Sequence, residues 1–300
     1  MIDLLLPFQY EFFTRGIIAS VFIGGICGLL GVYIVLRGMS YIGHGMSHAV
    51  FGGAVASYIM NFNIYLGATV WGFVSAILIN EISKRTKIKA DAAIGVVTTA
   101  AFSIGILLIS LNRSYTQNFE ALLFGNILGI TDQDLIIIVL VTCITGAFVF
   151  FFQKQLLFTV FDRETAQVYG VRTEVIDILF SLVLAGVIIA SMSSIGVTLL
   201  AAAIVTPAIA SRMLTNNFFK MMILSCSIGI ATAFSGMYVS FYFNSASGAT
   251  IVLFGAAAVG VSTLYSFLMK IHHTHYHGEV KHSHLHAHTG VHRHFHKMDQ

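Results

Sequence analysis

Two histidines, His44 and His48, stand four residues apart in the apolar stretch YIGHGMSHAVFGGAVASY, residues 41–58. Four residues is about one helical turn, so both imidazoles project from one face of one helix. Polar rings are costly in a strongly apolar segment unless something there uses them. Neutral imidazole is a good ligand for zinc, manganese, iron and nickel, and the pair supplies two such ligands. A symmetric dimer would bring two copies together and give four imidazoles around a central pathway. The plainer account is that each ring hydrogen-bonds Ser47, Tyr41 or a nearby carbonyl. An i, i+4 pair with no other histidine before residue 272 favours ligation. The other eleven of the thirteen histidines crowd into residues 272–296. There, HxH spacings such as His282, His284, His286 and His288 chelate divalent ions well but unselectively.

Other chemistries fail at specific residues. The HExxH pattern of zinc hydrolases needs a Glu directly after the first His, and Gly45 follows His44. An intramembrane metal-dependent enzyme therefore lacks its general base. No GxxxxGK[ST] run exists, so ATP hydrolysis requires a separate subunit. Proton-coupled metal carriers need carboxylates near the bilayer midplane, and all thirteen acidic residues fall in loops, tails or span ends. A self-sufficient metal/proton carrier with a His-rich regulatory tail is thus the second choice behind transport powered from outside the chain. Cys27, Cys143 and Cys226 lie singly in apolar runs, without a CxxC pair, and read as packing residues.

The elements that must position the histidines are membrane helices. The chain is 57% apolar and only 10% charged, with a mean hydropathy of +0.85, whereas soluble domains carry about 25% charged residues. The apolar runs are long enough for helical spans. They predict an all-α polytopic bundle of eight or nine crossings at about 16–36, 39–60, 64–80, 92–112, 134–152, 177–193, 195–213, 219–243 and 248–270. The breaks at 191–196 and at Pro207 leave open whether 177–213 holds two full spans or one span and a broken helix. Basic residues at 37, 84–89, 154–172 and 212–220 fall on one side if nine spans alternate, Arg113 being the exception. The positive-inside rule makes that side cytoplasmic, with the N-terminus outside and the tail inside, in a plasma membrane. The net charge of +3 informs topology rather than nucleic-acid binding. Residues 1–271 form the transmembrane domain, and 272–300 a polar tail predicted to be disordered without metal and to buffer or sense the ion.

Two loops carry further signals. ALLFGNILGI, within 113–133, is apolar but too short to span and reads as an outer half-helix. FDRETAQVYG, 161–170, reads as a short inner helix that Asp162 caps and Gly170 ends. Asp91 reads as the N-cap of the fourth span.

Together these motifs resemble the permease subunit of bacterial and archaeal manganese/zinc/iron ABC importers, over about residues 12–270. The residues that carry the likeness are GGICGLLGVYIVLRGMSYIGHGMSHAVFGG, KADAAIGVVTTAAFSIGILLIS, LLFGNILGI, FDRETAQVYGV, VTLLAAAIVTPAIASRML and GATIVL. The resemblance implies a helical importer fold similar to the vitamin B12 permease. It also implies a homodimer in the lipid bilayer, cytoplasmic ABC ATPase subunits, an extracytoplasmic metal-binding protein and no tightly bound cofactor. The transported ion would be zinc or manganese, held by His44 and His48. The coupling helix would fall on Phe161, Asp162, Glu164, Ala166 and Gly170. The chain departs from the family where His44 replaces the usual Asp and where Asn126 replaces the Asp of an LFGDILG-type segment. Two imidazoles make a less negative site, and manganese favours oxygen ligands more than zinc does, so the swap is expected to tilt selectivity toward zinc.

Overall fold

A computed structural model describes residues 5–39, 41–85, 90–111, 119–126, 129–268, 270–277 and 280–287. Each apolar run forms a helix, and the turns between them coincide with Gly, Asn and charged residues. In chain order these are α1 (Glu11–Leu36), α2 (Ile42–Ile59), α3 (Ile64–Arg85), α4 (Ala90–Leu111), the short α5 (Phe119–Phe124), α6 (Asp132–Phe161), the short α7 (Arg163–Val168), α8 (Thr173–Ser191), α9 (Val197–Leu214), α10 (Phe218–Phe243) and α11 (Ser247–Leu268). Nine helices among the described residues reach eighteen residues, and eight of them are apolar enough to be spans. The ninth is α2, whose two histidines and many glycines and serines lower its hydropathy. Thirteen of its eighteen residues are buried, so α2 is an interior helix that lipid need not solvate.

The bundle forms around α1, α2 and α8. α1 lies along α10 and α9, and α2 lies between α3 and α4. Small residues set these distances, because in lipid helix contact depends on close packing rather than on water exclusion. A Cβ on Gly52 would meet the Ala101 carbonyl oxygen at 2.3 Å, and one on Gly53 would meet the Gly67 carbonyl oxygen at 2.6 Å. The contact between α1 and α10 is equally tight, where Ser225 Oγ donates to the Gly28 carbonyl at 2.7 Å. Exposed Phe150, Phe151, Leu253 and Val261 belong to the outer, lipid-facing surface.

Several boundaries differ from those expected. α1 starts at Glu11, five residues early, because Arg15 pairs with Glu11 one turn away and with Asp132 Oδ1 at 2.8 Å. α6 runs to Phe161 rather than stopping near 152, since Leu156 and Thr159 are buried beyond the polar Gln153–Lys154 step. Its thirty residues make a rod about 45 Å long, longer than the roughly 30 Å hydrocarbon core. α8 and α9 are two full helices, joined through Gly196 at φ +90°. Pro207 is buried inside α9. Asp91 sits within the first turn of α4, which begins at Ala90, and is not its cap. Arg113, Lys87 and Lys89 lie outside the described residues.

The tail also departs from expectation. Lys270–His277 and Val280–Ala287 pair as antiparallel strands β1 and β2 instead of remaining irregular. The register sets His273 opposite His284 and His275 opposite His282. The HxHxH spacing is itself a period-two pattern, which suits a strand. His288 lies outside the described residues.

Candidate metal pathway and its two ends

His44 lies in the first turn of α2 and His48 in the second. Their Nε2 atoms approach to 3.0 Å, with rings nearly perpendicular and centroids 4.4 Å apart. Both rings are half-buried. The His48 ring packs on Phe102 of α4 at 4.5 Å between centroids, and Tyr41 approaches His44 at 5.3 Å. Of the local partners in the plainer account, Ser47 is engaged elsewhere, and the 3.0 Å contact is itself the length of a hydrogen bond between the two rings. Ser47 Oγ donates back to the Gly43 carbonyl at 2.8 Å. His48 Nδ1 is buried with no partner among the described residues. The two nitrogens best placed to bind an ion therefore converge on one point, and no described third His, Cys, Asp or Glu joins them. Phe102, which orients His48, had no sequence signal, being one of 25 phenylalanines.

At the end of the bundle where α6 begins, α5 and the α8–α9 turn form a cap. The Asn126 amide donates to the Ser193 carbonyl at 2.9 Å, and Thr198 Oγ1 donates to the Leu123 carbonyl at 2.6 Å. Gly125, at φ +82°, allows this closeness, since a Cβ there would meet the Ser194 carbonyl oxygen at 2.4 Å. Asn126, Gly129, Asp134 and Ser193 line a cavity of about 170 Å³. Asp134 accepts from Tyr65 Oη at 2.8 Å and closes a capping box with Thr131 at the start of α6.

At the opposite end, α7 follows α6 with Asp162 as the only intervening residue. Asp162 caps α7 by accepting from the Thr165 amide at 2.9 Å and the Thr165 hydroxyl at 2.6 Å, and these bonds hold its carboxyl below the usual carboxylate range. Gly170 turns the chain at φ +82°. Ala166 is buried, whereas Phe161, Asp162, Glu164 and Gly170 are exposed. Val168 and Tyr169 are 84% and 76% exposed, so α7 offers apolar side chains away from the bundle. Beneath it, Arg37, Asp177 and Arg163 form an ion cluster on a cavity of about 190 Å³. The expected basic end of α1 supplied Arg37, but its partner is 140 residues away and depends on how α1 meets α8.

Comparison with known proteins agrees with this architecture. The model of the ABC 3 transport family matches residues 9–266. The chain is 35% identical over 258 residues to the manganese transport system membrane protein MntC of Listeria monocytogenes, covering 86% of this chain and 92% of that protein. It is 32% identical over 253 residues to the chelated iron transport system membrane protein YfeC of Yersinia pestis, covering 84% and 86%. Among solved structures, PsaBC from Streptococcus pneumoniae in complex with Fab superposes with a TM-score of 0.78 at 32% identity, covering 89% of this chain and 98% of that one. An inward-facing metal-chelate type ABC transporter superposes at 0.69 with 14% identity, covering 84% and 85%, which is a likeness of fold alone. With the family match running from the foot of α1 into the last turns of α11, the chain belongs to the ABC 3 transport family: it is a permease subunit of a metal ABC importer, with no enzymatic activity of its own.

Proposed function

We propose that this permease carries a divalent first-row metal, zinc or manganese, into the cytoplasm by ATP-driven alternating access, and that His44 and His48 hold the ion in transit. The observation that carries this reading is the 3.0 Å approach of the two Nε2 atoms on α2. Tetrahedral zinc with bonds of about 2.0–2.1 Å separates its nitrogen ligands by about 3.3 Å, so the rings need part only slightly to admit it. Tightly held zinc normally has each histidine oriented by a hydrogen bond from its other nitrogen. His48 Nδ1 lacks that bond, which suits an ion that must leave. A second protomer, related by a two-fold axis, would complete the ligand set.

The chain lies in the plasma membrane with α7 and the tail on the cytoplasmic side. α7 docks on the ATPase through the exposed Phe161, Asp162, Glu164, Val168 and Gly170, with buried Ala166 seating it on the bundle, and an extracytoplasmic protein delivers the metal at the α5 end. Relatives named for manganese and iron support a first-row metal. The imidazole at 44 shifts the balance toward zinc within that class. The tail histidines, including His282, His284 and His286, bind the imported ion and report its level.

The test is metal uptake by cells expressing the full transporter with His44→Ala or His48→Ala. Loss of at least about tenfold in uptake, with normal permease levels, is expected from removing one of few ligands. Wild-type uptake in both variants would refute the assignment.

A further inference from the structure

We propose that Asp177 is a positioning residue that links α7 to the metal-binding helix by exchanging one carboxylate oxygen between two arginines. The proposal rests on the reading that α7 is where the ATPase docks. Asp177, in the second turn of α8, divides its oxygens between two elements. Oδ1 accepts from Arg37 Nη1 at 2.9 Å, and Oδ2 accepts from Arg163 Nη1 at 2.8 Å. Arg163 is the first residue of α7, and its side chain is half-exposed. Arg37 caps the end of α1; its side chain is only 7% exposed, and its guanidinium lies 4.6 Å from the centre of the Phe180 ring.

The cluster is incompletely satisfied in the state seen here. Arg37 Nε and Nη2 are buried without a partner among the described residues. An arginine and a carboxylate pair most strongly as a two-pronged fork; here Arg37 engages Oδ1 alone, while Arg163 donates to Oδ2 and holds the carboxylate between the two guanidiniums. If α7 moves away from α8, Oδ2 is freed and Arg37 can close the fork. If α7 returns, Arg163 reopens it. The carboxylate therefore has two arrangements that a displacement of α7 biases, which is what coupling between sites requires.

The other end of the exchange reaches the histidines through a short segment. Gly38 turns the chain at φ +67°, the Met39 amide bonds back to the Ile34 carbonyl, and the Ile42 amide bonds to the Met39 carbonyl. His44 follows two residues later. Arg37, Met39, Ile42 and Arg163 line the same cavity, together with Asn80 and Ser83 of α3, so the corner between α1 and α2 has room to shift.

The experiment compares ATP hydrolysis and metal uptake in the assembled transporter. Val168→Asp first tests docking and is expected to strip the ATPase from the purified complex. Arg163→Ala, at a half-exposed position turned toward α8, is expected to keep the ATPase bound and hydrolysing while uptake per ATP falls by at least about fivefold. Arg163→Lys, which preserves one bond to Oδ2, should restore much of that ratio, and Asp177→Asn should lose it. Retention of the ATPase by Val168→Asp would overturn the docking reading and the relay with it. Loss of the ATPase in Val168→Asp together with an unchanged uptake ratio in Arg163→Ala would overturn the relay alone. So would loss of the ATPase in Arg163→Ala, since that would make Arg163 a docking residue.

Discussion

An imidazole at position 44 sets both the charge and the softness of the α2 donor pair. A carboxylate there would add a negative charge and an oxygen ligand, which hard manganese prefers more than zinc does. His44→Asp is therefore expected to raise manganese uptake relative to zinc, measured by competition between the two ions in transport assays. An identical ratio in both forms would show that selectivity is set elsewhere. The pair itself was legible from spacing, because two histidines four apart must share a helix face. Its surroundings were not. Phe102 and Asp177 act through contacts made by other helices, and nothing local in AAFSIG or TEVIDILF distinguishes them from ordinary span residues. The likeness to a known family supplied the expectation of Asp at 44, and the structure supplied the distance that makes the substitution chemically sensible.

Among the elements, α2 owes its position to what it lacks. Gly52 faces the backbone of α4 and Gly53 that of α3, so added carbon has nowhere to go. Gly52→Ala is expected to cost about 1–3 kcal/mol through overpacking, read as a lower thermal midpoint of the purified permease; Gly95, with open space around it, serves as the control. α7 responds to acid instead. Hydrogen bonds from Thr165 stabilise the charged form of Asp162, so its contribution is present above the unfolded carboxylate value near about 3.9 and is lost as pH falls through the lower folded value. Amide exchange across residues 163–168 should therefore remain protected down to the ordinary carboxylate range and rise only below it, whereas Asp162→Ala should expose them already at neutral pH. The existence and order of the helices were readable from apolar runs. Their ends were less so, because Glu11–Arg15 and Gln153–Lys154 resemble loops until Asp132 and the buried face of α6 give those turns a reason to stay helical. The tail's composition marks it as low complexity, whereas its alternating histidines carry the period-two pattern of paired strands.

For the molecule as a whole, the proposed reading, in which one protomer brings only two ligands, makes pairing a functional requirement. Native mass spectrometry of the purified transporter is expected to give two permeases with two ATPases. In a mixed dimer carrying one wild-type and one doubly substituted subunit (His44→Ala with His48→Ala), uptake should fall well below half, as a shared site demands; independent sites would retain half. Removing residues 272–300 should lower zinc bound per chain while leaving uptake at low external metal unchanged, and should weaken the feedback of internal zinc on transport. Unchanged feedback would make the tail dispensable.

The length of α6 has a consequence for how the two ends of this permease communicate. Asp134, in the first turn of α6, is tied to Tyr65 beside the α5 cap. Twenty-eight residues later the same unbroken helix has passed into α7 through Asp162 alone. Such a strut carries axial force with little slack. With α7 as the proposed docking element, a push there would reach the far cap as a displacement of Asp134, and the two mouths would share one mechanical clock. A glycine pair placed midway along α6 would introduce slack and let the two mouths open out of phase.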